Sequence, residues 1–284
     1  MRAAIQARSA GDIVAQEPPA IMNVIRVATW TELHERLYES SWKAPLGRFR
    51  SSFAYRGVGR IDYSLETSLA RLGGAEELER HMLRNFRKYA QREAVPQDSV
   101  WNWLAVAQHH GLPTRMLDWT YSPYVALHFA TERVEAFECD AVIWCVDYSL
   151  TNQWLPEKLK QELADEGSDV FTAEMLAHAA PSLAEFDALA SEPFVAFLEP
   201  PSLDERIINQ FALFSLLSGP NTRFDTWLDS HPQACRKVIV PAELKWEIRD
   251  KLDQANITER VLYPGLDGLS RWLKRYYTPK PKDG

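Results

Sequence analysis

The segment from Trp101 to Ala130 constrains the fold more than any other part of this chain. Its hydrophobic spacing predicts two apolar helices, one running towards Gly111 and the other following Ser122, with a short polar insert between them. The insert holds glutamine, histidine, threonine, arginine, aspartate and tryptophan, whereas a connection that served stability alone would hold mostly glycine, asparagine, serine and lysine. Polar groups held between two rigid elements are typical of a functional site built on a scaffold.

Capping residues and hydrophobic periodicity predict the other elements. Thr29 and Glu32 fit a capping box, and Ser99 and Pro123 suit the first positions of two further helices. Helices and strands mix without strict alternation, which predicts an α+β fold: a single mixed domain with a central, mostly antiparallel sheet flanked by helices. Helices are predicted at 29–38, 75–92, 99–111, 122–131, 156–166, 241–255 and 266–277, and strands at 24–27, 53–57, 141–146, 194–198 and 236–240.

Length and patterning favour one domain. The chain has 284 residues, of which 46% are hydrophobic and 25% charged, values that are ordinary for a globular protein. The apolar pattern continues without a linker rich in Gly, Pro or Ser. We therefore expect a domain over residues 24–277, preceded by an N-terminal arm (1–23) and followed by a C-terminal tail (278–284).

Charge, hydropathy and cysteine content disfavour several classes of function. The formal net charge of -7 argues against strong non-specific binding to nucleic acid or to an anionic membrane. No apolar stretch approaches the ~20 residues of a membrane span, and the first residues lack the apolar core of a secretory signal. The 3 cysteines are widely spaced and match neither a disulfide framework nor a zinc site. We expect a cytoplasmic protein that binds no metal and does not act at a membrane.

Three motifs resemble those of the FRG domain family. The segment Gln108-His109-His110-Gly111-Leu112-Pro113-Thr114-Arg115-Met116-Leu117-Asp118-Trp119-Thr120 is similar to the family's signature. The family takes its name from a Phe-x-Arg-Gly pattern, which Phe53-Ala54-Tyr55-Arg56-Gly57 fits loosely, with Tyr55 directly before the arginine. Residues 204–214 resemble its Arg-Ile-x-x-Gln-x-x-x-Phe stretch, so the likeness extends from about residue 25 to residue 275.

The order of these motifs is also similar to that of the Arg-Ser-Glu class of mono-ADP-ribosyltransferases. That resemblance implies an ADP-ribosyltransferase-like fold in which an early arginine, here Arg56, holds NAD, and a late glutamate contacts the nicotinamide ribose. Such a carboxylate would stabilise the positive charge that builds on the ribose as its bond to nicotinamide breaks. The chain departs from the pattern, because it has no clear Ser-Thr-Ser or Glu-x-Glu sequence. Gln210, Glu199 or Glu205 would fill the late position, and with Gln210 there turnover would be slow or absent.

The motifs supply the candidate site residues. Arg56, His109 and Gln210 are the candidate catalytic groups, since an arginine fork grips phosphate and a histidine exchanges protons near neutral pH. Structural roles compete with these: Arg115 and Asp118 can pair with each other, and either histidine can cap a helix. The residues expected to bind the cofactor NAD are Tyr55, Arg56, Gly57, His110, Thr114, Arg115, Asp118, Trp119 and Arg206.

Three functions remain open from the sequence. The first is a protein that binds NAD or a related nucleotide and acts as an ADP-ribosyltransferase or NAD glycohydrolase. The second is a sensor that binds such a ligand without turnover, and the third is a protein-interaction module whose polar motif is a buried structural network. For the first two we expect Arg56 and the segments 109–119 and 206–210 to converge on one cleft.

Overall fold

The computed structural model describes residues 22–73, 75–90, 95–202 and 204–280. Its strands are β1 (Asn23–Arg26), β2 (Trp42–Lys43), β3 (Arg48–Phe49), β4 (Phe53–Val58), β5 (Met116–Thr120), β6 (Ala141–Asp147), β7 (Val195–Leu198), β8 (Ala212–Leu217) and β9 (Cys235–Val240). One sheet has the order β1-β9-β6-β4-β5-β8-β7, and β2 pairs with β3 separately. Among these described strands β1 and β9 are parallel and the other neighbours antiparallel, which confirms the predicted fold class.

Helices cover both faces of the sheet. They are α1 (Trp30–Tyr38), α2 (Ala75–Tyr89), α3 (Val100–His109), α4 (Pro123–Ala130), α5 (Tyr148–Thr151), α6 (Glu157–Glu166), α7 (Ala173–Ala179), α8 (Leu183–Asp187), α9 (Glu205–Asn209), α10 (Phe224–Ser230), α11 (Lys245–Gln254), α12 (Glu259–Leu262) and α13 (Leu266–Tyr276). One core cluster joins the sheet to α1, α4 and α11, and another fills the opposite face around α10. A third lies among α3, α6, α7 and α8.

The predicted caps are present. The Thr29 hydroxyl accepts a hydrogen bond from the backbone N–H of Glu32 at 3.2 Å, and Ser99 accepts one from Asn102 at 3.1 Å. Ser122 caps α4, whose first residue is Pro123. Parts of three predictions lie outside the described residues, namely 1–21 of the arm, 91–92 of the helix predicted at 75–92, and 281–284 of the tail.

The polar insert is a strand, not only a connection between two helices. β5 lies between β4 and β8 near the middle of the sheet, and its residues are buried apart from Asp118. The prediction missed it because Asp118 interrupts a run of only 5 residues, too short for a clear alternating pattern. The sequence analysis missed the neighbouring strand β8 as well. This strand follows directly after α9, which ends at Asn209, and Phe211 turns the chain between them with a φ of 47°.

Gly57 brings α4 into direct contact with β4. A Cβ atom at this position would lie 1.7 Å from the carbonyl oxygen of Ala126 and 2.8 Å from the backbone nitrogen of Ala130. Gly57 lies within β4 and has no positive φ, so its backbone conformation is that of an ordinary strand. Close packing of the helix is therefore what requires glycine here.

The sheet opens between β4 and β5. These two fully described strands pair at one position, where Tyr55 lies opposite Thr120. β4 nevertheless continues to Val58, and β5 begins at Met116. Backbone groups beyond that pair are free to meet side chains in place of a neighbouring strand. Among the helices of the described ranges, none combines the length and apolar character needed to cross a membrane.

Candidate functional site

A cavity of about 810 Å³ lies where β4 and β5 separate. This size falls within the roughly 300–1,000 Å³ of small-molecule pockets. Its walls come from β4 and the loop after it, the C-terminal end of α3, β5, the C-terminal end of α4, and α9 with Tyr263. Arg56, His109, Asp118, Arg206 and Gln210 all line it, so the three motifs meet at one place in the fold.

Arg56 bridges the gap in the sheet. Its Nη1 donates to the backbone carbonyl of Asp118, a group that β4 would otherwise face as a strand neighbour. Its Nε is buried and forms no hydrogen bond with any described residue. Burial lowers the pKa of Arg56 below its ordinary value of 12.5, with the Asp118 carboxylate opposing and Arg71 adding to the effect. The guanidinium remains a cation at neutral pH and has an N–H donor without an acceptor.

The Asp118 side chain is held from α3. Gln108 donates from Nε2 to Asp118 Oδ2 at 3.0 Å, and the Thr114 hydroxyl donates to the amide oxygen of Gln108. Thr114 in turn accepts from the backbone N–H of Met116 at 3.1 Å. Thr114 is buried and does not line the cavity, so it supports Asp118 through Gln108 in place of contacting a ligand.

His109 joins α3 to α9. Its Nε2 lies 2.6 Å from Oδ2 of Asp204, the residue that caps α9 through the backbone N–H of Ile207 at 3.0 Å. Burial raises the pKa of Asp204, but the hydrogen bonds from Ile207 and His109 outweigh it and hold that pKa below its usual value. The imidazole of His109 is therefore already bound to Asp204. The neighbouring His110 is exposed at the cavity wall.

Arg206 and Gln210 form the wall contributed by α9. Arg206 donates from Nη1 to the carbonyl of His109 at 3.4 Å and lies 5.2 Å from the centre of the Tyr263 ring, while its Nε is buried without a partner among the described residues. Gln210 donates from its amide nitrogen to the carbonyl of Leu262 at 2.9 Å. Both side chains are thus positioned by backbone carbonyls of neighbouring elements.

Three other predicted ligand contacts have buried side chains. Arg115 pairs with Glu79 and Asp187, each at 2.6 Å, beside a second cavity of about 560 Å³. It does not pair with Asp118. Its contacts with two carboxylates give Arg115 a structural role within the motif. The Trp119 ring lies in the core and donates to Ser215 at 2.8 Å, and Tyr55 donates to the carbonyl of Leu37 at 2.9 Å. Trp119 and Tyr55 both line the cavity, but their side chains are buried and offer no stacking face to a ligand.

The sequence analysis missed Glu132, which lines the cavity two residues after α4 ends. It is half-buried and forms neither a hydrogen bond nor an ion pair with any described residue. Burial raises the pKa of this carboxyl group, with Arg133 opposing and Glu259 contributing. Its position directly after the predicted helix at 122–131 was the available signal. Other cavity residues missed were Arg60, Tyr63, Arg71, Phe129, Arg133 and Tyr263.

The cavity is cationic in a chain that is acidic overall. Arginines outnumber carboxylates among its lining residues by five to two, against a formal net charge of -7 for the chain. Arg60 and Arg71 are partly neutralised at the rim by Asp62 at 2.8 Å and Glu66 at 3.9 Å. The inner arginines, Arg56 and Arg206, contact backbone carbonyls and form no ion pair with a described residue. The carboxylates are Asp118 and Glu132, and the arginines are Arg56, Arg60, Arg71, Arg133 and Arg206.

Comparison with known proteins identifies one domain. Residues 51–139 match the FRG domain, so the chain contains an FRG domain over that range. The matched range includes Arg56, the signature segment and Glu132, and it ends before α9. No curated protein and no solved structure matches the chain. The cavity is consequently built from the FRG domain together with residues that follow it.

Proposed function

From the premise that residues 51–139 form an FRG domain, we propose that the chain binds a phosphate-bearing nucleotide in the β4–β5 cavity, and that this ligand is NAD. Chemically, the bound dinucleotide would be cleaved at its bond between ribose and nicotinamide. The products would be nicotinamide and either free ADP-ribose or ADP-ribose attached to an acceptor. The protein would act as an NAD glycohydrolase or ADP-ribosyltransferase.

One observation carries the proposal: two inner arginines each keep a buried N–H without an acceptor. Arg56 and Arg206 both line the cavity, and the Nε of each is buried and unpaired within the described ranges. A buried donor without a partner costs free energy in the unliganded protein, on the order of 1–3 kcal/mol. A diphosphate would relieve that cost at both positions, because guanidinium groups bind phosphate oxygens through two parallel hydrogen bonds.

The remaining lining residues suit the other parts of a dinucleotide. Tyr63 and Phe129 offer aromatic surface for a base or for nicotinamide, in place of the buried rings of Trp119 and Tyr55. His110 is exposed at the wall and suited to hydrogen bonding with ribose hydroxyls. The cavity volume of about 810 Å³ accommodates a ligand of this size class.

A second candidate function is ligand sensing without turnover. The observation that favours it concerns Gln210, which stands where the similar transferases have their late glutamate. Its amide carries no charge and its nitrogen is already bonded to Leu262. A neutral amide stabilises a cationic ribose less than a carboxylate does. Incubation with NAD followed by mass spectrometry for free nicotinamide separates the two functions.

Calorimetric titration with NAD tests the binding proposal. Arg56→Ala should weaken binding by ~1–3 kcal/mol, the usual worth of a charge-assisted hydrogen bond. Arg56→Lys should recover little, because an ammonium group cannot reproduce the planar fork. Arg48→Ala is the matched control, since Arg48 is exposed in β3 and does not line the cavity. Equal affinity in wild type and Arg56→Ala, or no binding to either, would remove the proposal in favour of a protein-interaction module.

We also propose that the protein acts in the cytoplasm. Cys139, Cys145 and Cys235 are all free thiols, and the latter two are buried. Burial raises the pKa of Cys145 to about 12, so this thiol stays protonated and unreactive at neutral pH. Free thiols of this kind are ordinary in a reducing compartment.

A further inference from the structure

The end of α4, which directly precedes Glu132, contacts both β4 and α11. Gly57 lets the end of α4 pack directly against β4, since a side chain at this position would clash with the backbone of Ala126 and Ala130. Thr131 then ends the helix, with its hydroxyl donating to the carbonyl of Leu127 at 2.7 Å. Arg249 contacts the same region from α11, reaching the Thr131 hydroxyl at 3.4 Å. The residue that follows, Glu132, therefore has a well-defined place beside the cavity.

The two carboxylates that line the cavity are in different states. Asp118 accepts a hydrogen bond from Gln108 at 3.0 Å. Glu132 has no hydrogen-bond or ion-pair partner anywhere in the described ranges, although it is half-buried. A partly buried carboxylate without a hydrogen-bond or ion-pair partner is costly, and such groups are concentrated at functional sites.

The charges around Glu132 come from several elements. Arg133 follows it in sequence, Arg249 lies on α11, and Arg271 lies on α13; all three lower the pKa of the Glu132 carboxyl. Burial and Glu259 on α12 raise it, and these effects prevail. Tyr263 is close enough that Glu132 raises its pKa in turn. The pKa of Glu132 therefore lies above its ordinary value of 4.5, the direction that makes a carboxylate a better proton acceptor.

We infer that Glu132 is the catalytic proton acceptor of this cavity, activating the water molecule that attacks the nicotinamide ribose; this inference rests on the proposed NAD-cleaving function. In the reaction the bond between C1′ and the nicotinamide nitrogen breaks, and its electron pair stays on nicotinamide. The water oxygen bonds to C1′, and a water proton passes to the Glu132 carboxylate. The products are nicotinamide and ADP-ribose, and the proton then leaves to solvent.

The other polar residues of the cavity are less suited to this step. The amide of Gln210 does not accept a proton in the required range, and its nitrogen is bound to Leu262. His109 is already in contact with Asp204 at 2.6 Å. Asp118 is engaged by Gln108, and its backbone carbonyl by Arg56. Glu132 alone combines a place in the wall with an unengaged carboxylate among these four.

The test compares Glu132→Gln with Glu135→Gln in the full chain. Glu135 is an exposed glutamate three residues further on, which does not line the cavity. Calorimetry would measure NAD affinity and mass spectrometry the rate of nicotinamide release. Glu132→Gln should bind NAD within ~3-fold of wild type and lose nicotinamide release by ~10²–10⁴-fold, the usual contribution of a general base. Glu135→Gln should match wild type in both measurements.

The pH profile gives a readout that a merely structural role would not change. The wild-type rate should fall on the acid side through a pKa above the ordinary value of 4.5, and this limb should be absent in Glu132→Gln. If Glu132→Gln does not fold, Glu132→Asp should retain the acid limb at a lower rate. Unchanged release in Glu132→Gln, or NAD binding by wild type without any release, would overturn the inference and leave the binding proposal intact. Absence of NAD binding by wild type would overturn both.

Discussion

Replacing Gly57 by alanine tests whether close packing of α4 against β4 is what requires glycine at this position. The added Cβ would lie 1.7 Å from the Ala126 carbonyl oxygen, and real Cβ atoms essentially never approach within 3.0 Å. Strand and helix would have to separate by about 1.3 Å. The atoms that the Cβ would meet belong to the backbone of Ala126 and Ala130, so they cannot rotate away as a side chain could. Overpacking usually costs ~1–3 kcal/mol, and a clash between two backbones belongs at the upper end, about 3 kcal/mol.

Urea unfolding followed by circular dichroism measures this cost as a change in midpoint at constant slope. Gly59→Ala is the matched control two residues along the chain. Its Cβ would meet the Ala130 carbonyl at 3.6 Å and Ala136 at 3.9 Å, which are ordinary contacts. The control should therefore change the free energy of unfolding by no more than ~0.5 kcal/mol. If both variants unfold at the same urea concentration, the packing explanation of Gly57 is wrong.

Two further predictions follow from buried charges. Arg115→Met should reduce the free energy of unfolding by ~3–5 kcal/mol, because Glu79 and Asp187 lose their shared cation. Arg223→Met should cost only ~0–1 kcal/mol, because Arg223 is half exposed where it pairs with Asp225. Equal urea midpoints for the two variants would contradict this. Burial lowers the pKa of Lys245 from 10.5 to about 8, so the folded protein loses this proton at a lower pH than the unfolded chain does. The contribution of Lys245 to the free energy of unfolding therefore rises with pH between those two values. The free energy of unfolding of wild type minus that of Lys245→Met should increase over this range, and a flat difference would refute the assignment.

Much of the fold was accessible from the sequence because local signals agreed with the tertiary structure. The caps Thr29, Ser99 and Ser122 each satisfy backbone N–H groups of the helix that they begin, a local interaction that does not depend on the rest of the chain. The apolar run predicted as a strand at 141–146 is β6, which is buried on both faces. β5 and β8 lack such signals, because short central strands depend on neighbours that are distant in sequence.

The candidate site was predictable at the level of segments but not of individual side chains. Strand alternation turns Asp118 towards the cavity and Trp119 into the core, and this could not be assigned while the insert was taken for a connection. Arg56 and Arg115 are both arginines within FRG motifs, and both are buried to a large extent. What distinguishes them is the number of carboxylates within reach. Glu79 and Asp187 surround Arg115, whereas Arg56 has a backbone carbonyl and an unpaired N–H. An arginine that already has two carboxylates stabilises the fold, and one whose N–H lacks an acceptor is the one suited to bind an anion.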